Sequence, residues 1–214
     1  MKIGIIGSGI VGQVLANAFK SEGHEVVLGT RNPDKKELGD FKSDHPSIPV
    51  YTFEKTAATA ELIVLATAGS GAEEAIRIAG LHNFVDKIVI DTTNPIHHHP
   101  PVNGVLQYFT DINNSLMERI QQLLPEAKLV KAFNSVGNAV MYRPSLIEGT
   151  PTMFICGNDD EAKKTVTGIL TSFGWETEDM GMVESARAIE PLCMLWCIPG
   201  FLRNSWSHAF RFLK

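Results

Sequence analysis

The chain begins with a short apolar run, Lys2–Ile6, that passes directly into Gly7-Ser8-Gly9-Ile10-Val11-Gly12. Five residues with no polar alternation read as a strand buried on both faces, the pattern of a central parallel strand. From Ile10 to Glu22 the apolar positions Ile10, Val11, Val14, Leu15, Ala18 and Phe19 recur at helical spacing, and Gly23 suits a left-handed helix cap. A G-x-G-x-x-G is weak evidence in isolation, but between a strand and a helix it is restrictive. Gly7 permits the tight turn, Gly9 keeps a Cβ out of the way of a pyrophosphate, and Gly12 lets helix and strand pack closely. The helix N-terminus behind Ser8 adds unpaired N–H donors and partial positive charge. The competing reading, a glycine turn that binds nothing, has the flanking strand and helix against it.

Strand and helix patterns then alternate. Strands are expected at Glu25–Gly29, near Val50, at Leu62–Thr67, Lys87–Asp91 and Leu129–Phe133, with helices after Thr52 and at Gly71–Gly80 and Ser115–Leu124. This order implies right-handed crossovers and an α/β, Rossmann-type doubly wound parallel sheet. A smaller set follows: strand Thr152–Cys156, helix Asp159–Ser172 with Asn158 and Glu161 at capping-box spacing, strand Trp175–Asp179, and a helical stretch from Glu184. The Tyr142–Pro151 connection is too short for an independent linker. The expectation is therefore one dinucleotide-binding domain over residues 1–214, with a core of about 1–140 and a C-terminal strand-helix-strand-helix extension of about 150–214.

Composition narrows the class. With 44% hydrophobic and 20% charged residues the chain is neither disordered nor fibrous. A formal charge of -5 gives nucleic acid no electrostatic reason to bind. The uncharged apolar run Pro191–Leu202 falls short of a bilayer span, no secretory leader precedes the first strand, and Cys156, Cys193 and Cys197 leave an odd thiol. A soluble cytoplasmic protein without membrane contact is expected.

The second strand ends Gly29-Thr30-Arg31-Asn32, where a preference for the unphosphorylated cofactor would place Asp or Glu on the ribose 2'-hydroxyl. Thr30 offers a hydroxyl and Arg31 a permanent charge with a planar fork suited to phosphate, which points to NADP(H). A solvated surface arginine is the alternative, and Lys35 either assists or is solvated as well. The far half of the ligand should cross the later strand ends, at Ala66-Thr67-Ala68, Asp91-Thr92-Thr93-Asn94-Pro95 and Phe133-Asn134-Ser135. These small and hydroxyl-bearing residues either let an aromatic ring slide over the backbone or are ordinary turn formers.

More than twenty residues between Thr92 and Asn114 lack periodicity and contain His97-His98-His99. A loop of this length in a compact domain is functional or disordered. Adjacent histidines diverge and no acidic or cysteine partner stands at ligand spacing, so no metal site is assigned. Cys193 and Cys197 read as buried core thiols. Pro191 and Pro199 should kink or divide the C-terminal helical segment, whose Trp196, Phe201, Trp206, Phe210 and Phe212 suit a dimer contact or a pocket wall. No catalytic triad, paired carboxylates or P-loop emerges; no catalytic side chain is assigned. Hydride transfer to a stacked acceptor needs close geometry more than a dedicated acid or base.

Together with Gly7–Gly12 and Gly29-Thr30-Arg31-Asn32, the segments Lys131-Ala132-Phe133-Asn134, Cys156-Gly157-Asn158-Asp159, Ser185-Ala186-Arg187 and Glu190-Pro191-Leu192 carry a resemblance over essentially the full chain. It resembles the NADP oxidoreductase family that includes the NADPH-dependent reductases of the deazaflavin coenzyme F420, and is similar to the soluble N-terminal domain of STEAP-type metalloreductases. The resemblance implies NADPH along Ser8, Gly9, Ile10 and Val11, with its 2'-phosphate at Thr30 and Arg31. Ala66 and Thr67 would flank it, and Asn94, Pro95, Ala132, Phe133 and Asn134 would border the nicotinamide. It also implies a flavin or deazaflavin as second substrate, for which Asn134, Ser135, Val136 and Trp196 are candidate contacts, and a homodimer through the C-terminal helices. Two other readings stay open: a non-catalytic NADP(H)-sensing protein, and a reductase of a small carbonyl or imine compound, with a proton donor among His97, His98 and His99.

Overall fold

Six strands lie parallel in the order β3-β2-β1-β4-β5-β6: β1 (Lys2–Ile6), β2 (Glu25–Thr30), β3 (Val50–Thr52), β4 (Leu62–Leu65), β5 (Ile88–Asp91) and β6 (Lys128–Lys131). The computed structural model describes residues 1–146 and 149–214. Ile3 and Ile5 of β1, Val64 of β4, Ile90 of β5 and Val130 of β6 enter one core, while Ile6, Ile63, Leu65, Val89 and Leu129 enter the other. This alternation within apolar strands is why polar residues are missing from them: both faces are covered by helices.

Helix α1 (Ile10–Ser21) packs Leu15 and Phe19 onto the first face, joined there by α6 (Asp160–Ser172) through Val166 and Leu170. A short helix, α2 (Gly39–Asp44), adds Phe41 to the same core. On the opposite face lie α3 (Phe53–Thr59), α4 (Ala72–Ala79), α5 (Leu116–Leu123) and α7 (Ala186–Arg203). Gly23 has φ +84 and ends the turn after α1, as expected of a left-handed cap. Ser115 and Glu118 form a reciprocal capping box at the start of α5.

The C-terminal extension is a parallel pair, β7 (Thr152–Ile155) and β8 (Glu176–Asp179), with α6 between them. It joins the main sheet at the β6 edge through an antiparallel bridge between Lys131 and Cys156. Of the Tyr142–Pro151 connection, Ile147 and Glu148 lie outside the described residues.

Four details differ from the sequence reading. The helix after β7 is capped by Asp159, whose Oδ1 accepts from the Ala162 N–H at 2.7 Å, whereas Asn158 uses its Oδ1 to accept from Val183 N at 2.9 Å. Either residue can cap, and Asn158 is drawn away by a tertiary partner. Helix α7 runs unbroken through Pro191 and Pro199, held by a buried face that includes Ile189, Cys193 and Trp196. Trp206, Phe210 and Phe212 are not helical: after Asn204, at φ 52, the chain turns back as an extended tail. Phe210 O accepts from Thr152 N at 2.9 Å, so the tail runs along β7. Strands β4 and β6 also stop two residues earlier than their apolar runs, where the chain leaves the sheet to build the site.

Candidate functional site: a cleft across the strand ends

The turn after β1 is built as the glycine pattern demands. Gly7 adopts φ +125, and a Cβ there would meet the Ala66 backbone; a Cβ on Gly12 would collide with the Gly7 carbonyl oxygen. Nothing lies within 4 Å of the place a Cβ on Gly9 would occupy, so its glycine answers to no packing need of the protein itself. Gly9 is also the N-cap of α1 and supplies no side-chain cap, and the first turn holds no acidic residue. The leading N–H groups thus lie beside open space, with the partial positive charge of the helix behind them.

At the end of β2, Thr30 is buried and Arg31 is exposed with no ion pair or hydrogen bond among the described residues. Asn32 is folded into its own turn: its Oδ1 accepts from Asp34 N at 3.0 Å and its carbonyl from Lys35 N at 3.4 Å. Arg31 is thus left as an unpaired, exposed cation at the end of β2.

From Gly9 a cavity of about 490 Å³ runs across the carboxyl ends of β1, β4, β5 and β6. Ile10, Val11, Ala66, Thr67 and Ala68 line its near half; Asn94, Phe133, Asn134, Val136 and Trp196 line the far half. Pro95, Ala132 and Ser135 are buried and do not line the cavity, nor do Gly7 and Gly12, which lie within the turn itself. Residues not singled out for the site also reach the wall, Gly69, Met141, Cys193, Cys197 and Ile96; of the three candidate proton-donor histidines, His97 and His98 line it and His99 does not. The two thiols signal their place only through their four-residue spacing on α7, which is equally common in plain helix cores.

Phe133 shapes the far end. It sits at φ 61, an uncommon left-handed conformation for a bulky residue, with its ring buried against Phe173. The reversal carries the chain off β6, so that Asn134 faces Asn94 at the end of β5. Asn94 Nδ2 donates to Asn134 O at 2.7 Å, while Asn134 Nδ2 donates to Asn94 Oδ1 at 3.2 Å and to Ile189 O of α7 at 3.0 Å. Two buried polar atoms among these residues have no protein partner: Thr67 Oγ1 and Asn134 Oδ1. Buried polar atoms are seldom left unpaired. An open glycine, uncapped N–H groups and two orphaned polar atoms together fit a bound dinucleotide.

A buried ionic cluster underlies this end. Lys131 Nζ lies 2.7 Å from Asp91 Oδ2 and 2.9 Å from Glu190 Oε1, and donates to Thr93 O at 2.8 Å, with all three charged side chains at most 2% exposed. Burial alone would lower the lysine's affinity for its proton, but the two carboxylates hold it above the ordinary lysine range. Glu190 also accepts from the first N–H groups of α5, Leu116 and Met117, each at 2.9 Å. One carboxylate therefore ties α7 to α5 and to the sheet. A lysine inside the apolar run Leu129–Phe133 was the available signal for this cluster.

A parallel sheet in this strand order, with a glycine turn beneath a helix N-terminus and a cleft at the switch point, defines a dinucleotide-binding oxidoreductase of the doubly wound α/β class. The family model described as NADP oxidoreductase, coenzyme F420-dependent, matches residues 2–95. A crystal structure from Arthrobacter sp. FB24, described as a candidate F420-dependent NADP-reductase, is 33% identical, with a TM-score of 0.94 and 100% of each chain covered. The chain belongs to this family of NADP oxidoreductases. Rat metalloreductase STEAP3 is 32% identical over 206 residues, which are 94% of this chain and 39% of STEAP3. The F420-dependent NADP reductase of Methanocaldococcus jannaschii is 34% identical over 87 residues, 39% of this chain and 37% of that protein. The matched segments thus cover well under half the length of each of these curated relatives. No helix among the described residues is long and apolar enough to cross a membrane.

Proposed function

We propose that residues 1–214 form one NADP(H)-binding unit that passes hydride between the nicotinamide and a planar conjugated acceptor of the deazaflavin or flavin type. The observation that carries this reading is the cleft. It runs from the phosphate-binding turn to an apolar far wall of Phe133, Val136, Met141 and Trp196, and no Lys or Arg lines it among the described residues. A wall of this kind suits the face of a ring and offers no cation to a small carboxylate substrate.

In this reading the N–H groups of Ile10 and Val11 hold the pyrophosphate and Gly9 lets it approach. Arg31 pairs with the 2'-phosphate over Thr30, with Lys35 close by in sequence. Ala66, Thr67 and Ala68 border the middle of the cofactor. Asn94 and Asn134 fix the nicotinamide end, where Asn134 Oδ1 has a free acceptor position for the carboxamide. The bound cofactor supplies the hydride; the chain supplies alignment and an apolar enclosure that limits water.

Dissociation constants for NADPH and NADH, measured on the unaltered chain and on Arg31→Ala, test the cofactor assignment. Loss of a charge-assisted bond of about 1.5–3 kcal/mol should weaken NADPH by about 10- to 150-fold and leave NADH nearly unchanged. Equal affinity for both cofactors in the unaltered chain would refute it. NADPH oxidation against a panel of riboflavin, FMN, FAD, coenzyme F420 and a ferric chelate tests the acceptor class. A homodimer in the cytoplasm completes the proposal: Leu195, Phe201 and Leu202 of α7 are exposed, and Leu202 lies against Gly104 of the long loop beside exposed Val102 and Val105. A sedimentation profile that stays monomeric at micromolar concentration would count against the dimer.

A further inference from the structure

The long loop between β5 and α5 is tied down as a flap over the cleft. Ile96 bridges Tyr108, Phe109 N donates to Pro95 O at 2.9 Å, and Tyr108 Oη donates to Glu190 O of α7 at 2.7 Å. His97 is half-buried on the cleft wall at the base of this flap. Its backbone N–H donates to Gln107 O at 2.7 Å, and its ring Nδ1 receives the backbone N–H of His99 at 3.3 Å. The His99 ring meets it edge-on with centroids 4.1 Å apart.

A backbone N–H can only donate. In the ring state that makes this bond, Nδ1 therefore presents a lone pair and the proton sits on Nε2. Several other side-chain donors on the wall are already spent inside the protein; the exceptions are Thr67 Oγ1 in the near half and the exposed Ser70 and His98. Thr92 Oγ1 donates to Leu65 O at 3.0 Å, Thr93 Oγ1 to Asp91 Oδ1 at 2.7 Å, and the amide groups of Asn94 and Asn134 bond each other and Ile189. Among the described residues, Nε2–H of His97 has no protein acceptor, its only side-chain bond being the one at Nδ1.

We infer that His97 is the electrophilic hydrogen-bond donor of the cleft, its Nε2–H stabilising the negative charge that gathers on a ring nitrogen or carbonyl oxygen of the acceptor as hydride arrives. The inference rests on the reductase reading above. The hydride carries two electrons into a neutral conjugated ring, and the pair displaced by the new bond settles on a heteroatom. The Nε2–H bond of His97 does not break, and the heteroatom takes its proton afterwards from water. A fixed neutral donor needs no rearrangement at the moment of transfer, which is where such groups have their largest effect. An acid role would require a proton on Nδ1 as well, directed against the His99 N–H.

The experiment combines long-range proton–nitrogen NMR of the histidine-labelled chain with kinetics of three variants. The spectrum should place the His97 proton on Nε2 in the cofactor-free protein. His97→Leu should lower kcat with the active acceptor by about 100-fold while the NADPH dissociation constant stays the same. His97→Gln, whose amide reaches the Nε2 position, should keep most of the activity. His97→Asn, whose amide reaches only the Nδ1 position, should fall with His97→Leu. A proton found on Nδ1, or on both nitrogens, overturns the inference without reference to turnover. Equal kcat in His97→Leu and the unaltered chain overturns it as well. An unaltered chain that fails to oxidise NADPH with any acceptor of the panel overturns the reductase reading, and the catalytic role with it, while the NMR result still reports the tautomer.

Discussion

Replacing Lys131 with Met removes the single cation from the buried cluster and leaves its shape largely filled. Asp91 and Glu190 then face each other in the interior with no counter-charge. Each keeps part of its shell: Asp91 Oδ1 accepts from Thr93 N and Oγ1 at 2.9 and 2.7 Å, and Glu190 keeps the Leu116 and Met117 N–H groups. Breaking a buried pair by removing one partner costs about 3–5 kcal/mol. Lys131 serves two carboxylates, which raises the cost, and their remaining donors lower it, so the middle of that range is expected. Against a total stability of about 5–15 kcal/mol, this is a large fraction. At about 2–4 °C per kcal/mol for a chain of this length, the melting temperature at pH 7 should fall by about 6–20 °C. The sign of the pH dependence is definite. Desolvated and uncompensated, a carboxylate in the folded variant has a raised pKa, so its penalty is full above that folded value and fades below the unfolded one. The gap between Lys131→Met and the unaltered chain should therefore narrow as pH falls from 7 toward 4. Thermal or urea unfolding monitored by circular dichroism, with Lys131→Met/Glu190→Gln as the partner double variant, measures all of this. The double variant should lose less than Lys131→Met alone. A Lys131→Met chain within about 1 kcal/mol of the unaltered one at pH 7, or with a gap that does not change with pH, would refute the reasoning.

Gly9 and Gly12 should part company under the same substitution. Gly9→Ala, with open space for the new methyl, should fold normally and bind NADPH more weakly, whereas Gly12→Ala should lower the melting temperature because its Cβ meets the Gly7 carbonyl. Calorimetry and a cofactor titration on both variants separate the two effects. Glu118 is held down to about 2, mainly by its hydrogen bonds with Arg187 and secondarily by those with Ser115, against the opposing effect of burial. Its contribution is present above the ordinary carboxylate pKa and is lost as pH falls toward 2; Arg187→Ala should move acid unfolding to higher pH in a circular dichroism titration. Among the thiols, mutual hydrogen bonding pushes Cys193 up and Cys197 down, with burial opposing the latter, and burial raises Cys156 to about 12. Timed alkylation followed by peptide mass spectrometry should find Cys197 modified first and Cys156 last; a faster Cys156 would contradict this order.

Much of the architecture was legible because its determinants are local and periodic. Apolar runs marked five of the six strands of the main sheet, the short β3 near Val50 being the weakly marked one, and the glycines marked the turn beneath α1. Thr30 and Arg31 stood out because a carboxylate was missing from a position whose chemistry is simple. The end of β6 was less legible. Nothing in Phe133 announces a left-handed residue, and the strand pattern ran on through it; the reversal is imposed by ring burial against Phe173 and by the Asn94–Asn134 exchange across two strands. The two prolines of α7 gave a local signal to break, and packing of the helix overrode it. Asn158 and Asp159 were equivalent as caps until Val183 came within reach of one of them.

The sequence by itself determined the class of fold and the glycine turn between β1 and α1, and it carries the proposal of a phosphorylated ribose at Thr30 and Arg31, since each rests on residues within a few positions of one another. Only the tertiary structure decided what lines the far half of the cleft. Lys131, Asp91 and Glu190 are far apart along the chain, as are His97 and Trp196, and no spacing rule links them. They meet because burying both faces of the sheet forces α7 across the strand ends, where a desolvated lysine requires two carboxylates and a pinned flap brings His97 to the cleft wall.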